Sequence, residues 1–354
     1  MSKAEIKKSF LFITISLLPE RKSASTQQLS PQFTLYYSYK LGVSSKQNIL
    51  YTNREFVSLF LFITNFKLYS FVINYILGCD VMPELPEVET VKEMLKERLQ
   101  NRKIVGVSIY YLKLIEYPNN QTFEQRIVGE TIINLERRGK WILFELDHYY
   151  LLSHLRMEGK YVFRNQGDPV DKHEHIAFIL DNGEELRYKD TRKFGRMYLI
   201  EKEKVWTEKP LSQLGLEPWD IHLDTSYLKE KLRQKVIPIK TCLLDQSIIA
   251  GIGNIYANEI LFLSEMNPMK KSNTLTNKQL DAIILNMQKV LSEATRQGGT
   301  TIRSYESSEG VHGRFQQNLF VHGKEGEPCI HCNTKIVKTT IGGRGTYYCP
   351  KCQK

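Results

Sequence analysis

The sequence predicts an α+β chain of several domains: a leading helix, a β-sandwich or barrel, a helical domain and a small metal-bound β-hairpin. Three observations predict it. From Lys103 to about Ile200 the apolar residues fall in short β-rich runs separated by turn signals, the pattern of a sandwich or barrel. After about Asp220 the apolar spacing changes to three and four residues, which is that of amphipathic helices. The C-terminal end holds Cys329-x-x-Cys332 and Cys349-x-x-Cys352, spaced as a metal site and not as a secreted disulfide framework. A length of 354 residues suits two domains and an appendage.

Residues 1–81 differ from everything that follows. They contain no His and no Trp, and their nine basic and four acidic residues supply half of the net charge of +10. Phe10–Leu18 is an apolar run after Lys7 and Lys8, the outline of a signal peptide. Phe56–Gly78 is apolar too, but Asn65, Lys67 and Asn74 interrupt it, which argues against a membrane span. Three readings stay open: a targeting or anchor segment, an ordered accessory element, or an upstream stretch included by a wrongly chosen start. The third is favoured, because a credible mature start follows at Met82. The extension is therefore expected to be disordered or absent from the mature protein.

Met82-Pro83-Glu84-Leu85-Pro86-Glu87 opens the first helix. Pro86 suits a first helical turn, where a missing N–H costs nothing, and Glu87 and Glu89 favour the positive end of the helix dipole. Val88, Val91, Leu95 and Leu99 form its apolar face. Val105, Val107 and Ile109 alternate as a strand, and Thr131–Leu135, Lys140–Leu146, Tyr161–Phe163, His175–Leu180, Glu185–Tyr188 and Met197–Ile200 continue the set. Asp181-Asn182-Gly183 marks a tight hairpin. Gly215–Asp220, with Pro218 inside it, reads as a linker. Tyr227–Gln234 and Thr241–Ala250 read as helices, and Gly251-Ile252-Gly253-Asn254 as a tight turn with Asn254 capping the next helix. Thr276 and Gln279 form a capping box. The helix they open has Leu280, Ile283, Ile284, Met287, Val290, Leu291 and Ala294 on one face, and Gly298-Gly299 ends it.

The strongest chemical signal is the cysteine quartet. Two matched pairs of thiolates complete a closed tetrahedral zinc site with no open position, so the metal is expected to be structural, holding a hairpin that has little core of its own. His331 is not needed as a ligand. Between the pairs, Thr339-Thr340-Ile341-Gly342-Gly343-Arg344-Gly345-Thr346 is a glycine-bearing turn that presents a guanidinium, suited to phosphate or an unstacked base. The glycine turn before Asn254 feeds a helix N-terminus, a second phosphate-binding geometry. The modest positive charge of residues 82–354 is compatible with nucleic acid without requiring it. Thiols kept for metal favour a reducing compartment.

These stretches, in this order, resemble the formamidopyrimidine-DNA glycosylases, and the resemblance runs from Met82 to Lys354. It implies an N-terminal β-sandwich domain over 82–215, a linker over 216–220, a helix–two-turn–helix domain over 221–318 and a zinc finger over 319–354. It implies that Pro83, once exposed as the N-terminal amine, is the Schiff-base nucleophile and Glu84 a proton donor. Glu87 would help to hold the site. Lys140 and Arg344 would contact phosphate and give protons during elimination. Lys240, Asn254 and His154 would bind DNA. Met157, Arg192 and Phe194 would intercalate into the hole left by an everted nucleotide, and the stretch from Gly298 to Gln316 would close over the extruded base. The activity implied is bifunctional: excision of oxidised purines such as 8-oxoguanine and formamidopyrimidines, then strand cleavage by β,δ-elimination. The partner is double-stranded DNA with oxidised bases or abasic sites, the cofactor one Zn2+, the chain a monomer and its place the cytoplasm, with no membrane involved. Two other outcomes stay open: an endonuclease VIII-like enzyme for oxidised pyrimidines, or a non-catalytic damaged-DNA-binding protein that retains its extension. In the full sequence Pro83 nitrogen is an amide, whose lone pair is delocalised into the carbonyl of Met82.

Overall fold

The helix that Pro86 opens, α1, spans Leu85–Leu99 in the computed structural model, which describes residues 82–300, 305–306 and 315–354 and the short antiparallel pair Thr34–Leu35 with Ile49–Leu50. The rest of the extension lies outside the described residues, including Phe10–Leu18, Phe56–Gly78 and Cys79. So does most of the stretch read as closing over the base, Gly298 to Gln316. Glu87 donates its charge to the start of α1: its carboxylate accepts the Glu84 N–H at 3.1 Å. Val88, Val91, Leu95 and Leu99 are buried, and the apolar face read from their spacing packs into the core of the sandwich.

The strands form two five-stranded sheets, so the choice between sandwich and barrel falls to the sandwich. In chain order they are β1 (Ile104–Ile109), β2 (Ile115–Tyr117), β3 (Asn134–Arg138), β4 (Trp141–Glu145), β5 (Tyr149–His154), β6 (Lys160–Asn165), β7 (Glu174–Leu180), β8 (Glu184–Lys189), β9 (Arg196–Glu201) and β10 (Tyr305–Glu306), with α2 (Asn120–Ile127) after β2. One sheet runs β10-β6-β8-β7-β1 and the other β2-β9-β5-β4-β3. Period two decides the faces. Ile142, Phe144 and Leu151 point into the sandwich, whereas Trp141, Leu143, Tyr150 and Leu152 fill a second layer with Ile200, Val205 and Leu211. Burial on both faces is why β4 reads as an unbroken apolar run. At Asp181-Asn182-Gly183 the hairpin loop is three residues long, and Gly183 alone takes a positive φ, 83°.

The segment read as a linker is tied down along its length. Gly215 N–H donates to Gln246 O at 2.8 Å and Ala250 N–H to Leu216 O at 2.9 Å. Beyond it lie α3 (Thr225–Leu232), α4 (Ile239–Leu244), α5 (Asn254–Leu263) and α6 (Asn277–Arg296). The helix read over Thr241–Ala250 is thus shorter and earlier. Asp245 ends it by turning back on the chain, accepting both the Ser247 N–H at 3.0 Å and the Ser247 hydroxyl at 2.6 Å, a local alternative to helix that aspartate favours. The capping box of Thr276 and Gln279 is present at the start of α6, and six of the seven residues read on its apolar face are buried, Ile284 being partly so. The chain finishes in the hairpin β11 (Val337–Ile341) and β12 (Arg344–Tyr348). Its small core joins Val321, Cys329, Ile336 and Cys349 to Phe262 of α5.

Candidate active site and nucleic-acid interface

The Pro83–Leu85 segment is threaded against the turn that precedes α5. Leu85 N–H donates to Gly251 O at 3.1 Å. A Cβ on Gly251 would lie 2.4 Å from Leu85 Cδ1, and one on Gly253 2.3 Å from the Glu84 carboxyl carbon. These glycines are therefore needed for close approach of the chain's own segment. The Glu84 carboxylate then occupies the start of α5, accepting N–H bonds from Gly253 at 2.7 Å, Ile255 at 2.8 Å and Tyr256 at 3.3 Å. This corrects two expectations. Asn254 does not cap α5, because Glu84 fills that place, and the anion at this helix N-terminus is a side chain of the protein and not a phosphate. Burial of Glu84 outweighs the opposing pull of Lys140 and, helped by repulsion from Glu87, raises its carboxyl to about 7.

Glu87 lies directly behind. Besides the Glu84 N–H, it accepts the Tyr256 hydroxyl at 2.7 Å and, from Thr300, the N–H at 2.7 Å and the hydroxyl at 3.0 Å. Lys140 is buried in the same field: burial lowers its ammonium from the ordinary value, Glu84 and Glu87 oppose that, and Arg344 and Arg156 add to it. The turn that carries Lys140 is held from the former linker. Glu217 accepts the Gly139 N–H at 2.6 Å and Arg137 Nη1 at 2.5 Å, while Arg137 Nε donates to Glu89 at 2.6 Å. Arg137 is only 9% exposed, so Glu217→Ala strips a buried guanidinium of one of its two carboxylates. We expect a loss of about 2–4 kcal/mol in stability, read from the urea midpoint at unchanged m-value; an unshifted midpoint would show that this clamp holds nothing.

Arg344 is exposed at the start of β12, as the turn between the cysteine pairs suggested. Lys240 and Asn254, read as contacts to the DNA backbone, both turn to the residue after it. Lys240 Nζ donates to Gly345 O at 2.9 Å and Thr346 Oγ1 at 2.8 Å, and Asn254 Nδ2 to Gly345 O at 3.1 Å. Lys240 is fully buried, and burial pulls its amine down to about 7. In this structure the pair fixes the hairpin that presents Arg344. The four cysteine sulfurs lie within 4.8 Å of one another, with Cys329–Cys352 at 3.9 Å and Cys332–Cys349 at 3.5 Å. Zinc–sulfur bonds of about 2.3 Å in a tetrahedron put sulfurs roughly 3.8 Å apart, so the quartet fits the ion. His331 stacks on Phe262 at 5.0 Å and stays outside the quartet.

Two loops of the sandwich carry the residues read as intercalating. Met157 is half-buried in the turn after β5, beside Arg156, whose φ is 56°. His154, read as a DNA contact, is buried beneath that turn: it lies edge-on to Trp141 at 4.8 Å, and its Nδ1 accepts the Arg156 N–H at 3.0 Å. Burial, with Arg156 and Lys140 nearby, holds it well below the usual imidazole range. It shapes the loop as a neutral ring. Phe194 is 48% exposed, with the Arg192 guanidinium 5.5 Å from its ring centroid. Asp190 orders this loop by accepting the N–H groups of Arg192, Phe194 and Gly195 at 2.9, 2.9 and 2.8 Å.

Family models match three consecutive parts of the chain: the formamidopyrimidine-DNA glycosylase N-terminal domain over residues 82–197, the H2TH domain of the same enzymes over 214–306, and a zinc finger found in FPG and IleRS over 326–354. The formamidopyrimidine-DNA glycosylase of Oceanobacillus iheyensis is 46% identical over 273 residues, 77% of this chain and 98% of that one. The chain belongs to the formamidopyrimidine-DNA glycosylase family. The Bacillus subtilis member is 45% identical over 273 residues, covering 77% of this chain and 99% of its own. The Lactococcus lactis glycosylase solved with abasic-site DNA has a TM-score of 0.71 and 36% identity, over 77% of this chain and 99% of that one. A second Lactococcus lactis structure, with Fapy-dG DNA, gives 0.71, 36%, 77% and 100%.

As a member of this family the chain is a DNA glycosylase of base excision repair, with one structural zinc on Cys329, Cys332, Cys349 and Cys352. Among the described residues no helix is long and apolar enough to cross a membrane. Three parts of the formamidopyrimidine-DNA glycosylase site escaped the sequence reading. One is the seat of Glu84 at the start of α5; another is Glu217 with Arg137; the third is Gly345 O as the shared acceptor of Lys240 and Asn254. None has a local signal, since each joins residues 80 or more positions apart.

Proposed function

We propose that this glycosylase excises oxidised purines, 8-oxoguanine and formamidopyrimidines, and then cleaves the strand as a lyase, using the Pro83 amine freed of its N-terminal neighbour. A terminal secondary amine with a pKa of ~8 is about a tenth neutral at pH 7. That fraction attacks C1′ of the damaged nucleotide, the base departs with a proton, and the ring opens to an iminium. Glu84, next in the chain, gives the proton that opens the sugar ring. From the iminium, loss of a C2′ proton expels the 3′ phosphate, and a second elimination expels the 5′ phosphate. Lys140 and Arg344 lie against those phosphates and protonate the leaving oxygens. Met157, Arg192 and Phe194 fill the stack. Lys240 and Asn254 act at the backbone through Gly345 and the hairpin. Zinc supplies no chemistry and frames Arg344.

The observation that carries this reading is the Glu84 carboxyl, buried, aimed by three N–H groups and raised to about 7, a general acid that keeps much of its proton at neutral pH. The expected pH dependence follows. Excision needs Glu84 protonated and the Pro83 amine neutral, so the single-turnover rate is bell-shaped. It is limited at low pH by the protonated amine of pKa ~8 and at high pH by ionised Glu84, raised to about 7, with its maximum between the two. Glu84→Gln should remove that basic limb and lower excision by about 10²–10⁴-fold, while incision of a preformed abasic site falls far less. The same raised value means that the folded chain holds this proton more tightly than the unfolded one. Its contribution to stability is full below 4.5, declines as pH climbs, and is gone above about 7. Comparing 8-oxoguanine with thymine glycol as single-turnover substrates tests the lesion class; faster release of thymine glycol would reverse it.

A further inference from the structure

The two loops that carry Met157, Arg192 and Phe194 converge on a single atom. Tyr188, on β8, is fully buried, edge-on to Tyr161 with ring centroids 5.3 Å apart. The Tyr161 hydroxyl donates to Ser153 Oγ at 2.7 Å, but the Tyr188 hydroxyl has no hydrogen-bond partner. A buried hydroxyl left so gives up the bonds it made to water, and in a close-packed core its position needs a reason. Its position is between two glycines. A Cβ built on Gly159 would lie 2.0 Å from the Tyr188 hydroxyl, and one on Gly195 1.9 Å from it. Gly159 closes the Met157 turn, with its N–H on Leu155 O at 2.9 Å. Gly195 closes the loop ordered by Asp190. At Gly195 the next nearest atoms, at 2.7 and 2.9 Å, also belong to Tyr188, so the phenol alone limits the approach.

We propose that Tyr188 is a positioning residue for base eversion: its phenolic end is the common seat of both loops and sets their height and spacing, so that Met157, Arg192 and Phe194 enter the duplex together. Tyr188 itself, buried under the loops, does not meet DNA. This rests on the reading of those three side chains as the intercalating group, and the test separates the two ideas. The full chain is mixed with duplex DNA that carries 2-aminopurine beside an 8-oxoguanine paired with cytosine, and unstacking is followed by stopped-flow fluorescence at saturating protein, which needs no nucleophile. A second duplex carries the same lesion in an unpaired bulge, where eversion costs least.

Gly195→Ala is expected to slow unstacking of the paired lesion by about tenfold or more, as small misplacements of positioning groups do, and to leave the bulged duplex within about threefold. Tyr188→Phe keeps the ring and removes the seat's outer atom. It should slow the paired duplex in the same sense with Tm unchanged or higher, since it relieves an unsatisfied buried hydroxyl. A role in packing alone would lower Tm and leave the paired-to-bulged ratio as it was. If both variants fold and keep the ratio while Phe194→Ala lowers it, the seat is refuted and the wedges stand. If Phe194→Ala also leaves it unchanged, the intercalation reading falls and this proposal with it. Should Gly195→Ala not fold, Tyr188→Phe decides.

Discussion

Borohydride trapping on abasic duplex DNA is expected to give a covalent adduct with a chain that begins at Pro83, and none with the full 354-residue chain. Trapping should fall by at least about 10⁴-fold, roughly 5–6 kcal/mol of barrier. The cause is the nitrogen and not the shape of the site. Glu84, Lys140 and the turn before α5 are all in place in the full chain, so the buried carboxyl and the lysine proposed to serve the chemistry are present there. What is missing is a lone pair: as an amide, Pro83 nitrogen shares it with the carbonyl of Met82, and an amide does not form an iminium. A chain that keeps Met82 and nothing before it should be as inert as the full one, which separates acylation from any effect of the preceding 81 residues. Intact mass of each sample and N-terminal sequencing of the trapped species complete the measurement. An adduct of undiminished yield from verified uncut chain would remove Pro83 from its role and send the search to a side-chain amine, with Lys140 first.

Much of this architecture was legible in local patterns, and the illegible part has a common character. The apolar face of α6, its capping box and the cysteine spacing are relations among residues three to four apart, and the structure repeats them. The two sheets follow from alternation, though alternation could not choose between sandwich and barrel, because both bury every second residue. Helix α4 was misplaced, since an aspartate that folds back on its own chain competes with helix without changing the apolar pattern. Polar pairings at long range were invisible. Asn254 after a glycine turn has the composition of a helix cap, yet the cap comes from Glu84, 169 residues earlier than Gly253. Lys240, which only the resemblance set at the DNA backbone, reads on its own as a surface lysine, yet it is buried with a bond to Gly345 that spans 105 residues. Burial decides such cases. An exposed lysine seeks phosphate or water, whereas a fully buried one must find a carbonyl. Exposure is a property of the fold, which residue type alone does not announce.

Removing the zinc is expected to weaken DNA binding sharply while most of the fold survives. The two large cores, between the sheets and among α3 to α6, contain none of the four ligands. The hairpin has only a small cluster around Cys329, Cys349, Ile336 and Phe262, too little to order it without metal, and zinc contributes about 10–16 kcal/mol of apparent free energy in comparable small domains. Chelation at neutral pH, or Cys349→Ser, should therefore release one zinc per chain, open the hairpin and leave far-UV dichroism nearly intact. With Gly345 gone from its place, Lys240 and Asn254 lose their acceptor and Arg344 its frame. The hydrogen bond from the Lys240 ammonium is worth about 1.5–3 kcal/mol and the neutral one from Asn254 about 0.5–1.5 kcal/mol, so the loss of both raises Kd for lesion duplex by roughly 30- to 2,000-fold, read by fluorescence anisotropy at fixed salt. Arg344→Ala in the zinc-loaded chain should reproduce only part of this loss, because Lys240 and Asn254 keep their hold on the hairpin. Should affinity persist after stoichiometric zinc release, the hairpin is dispensable for DNA, and the basic groups of the sandwich must hold the duplex without it.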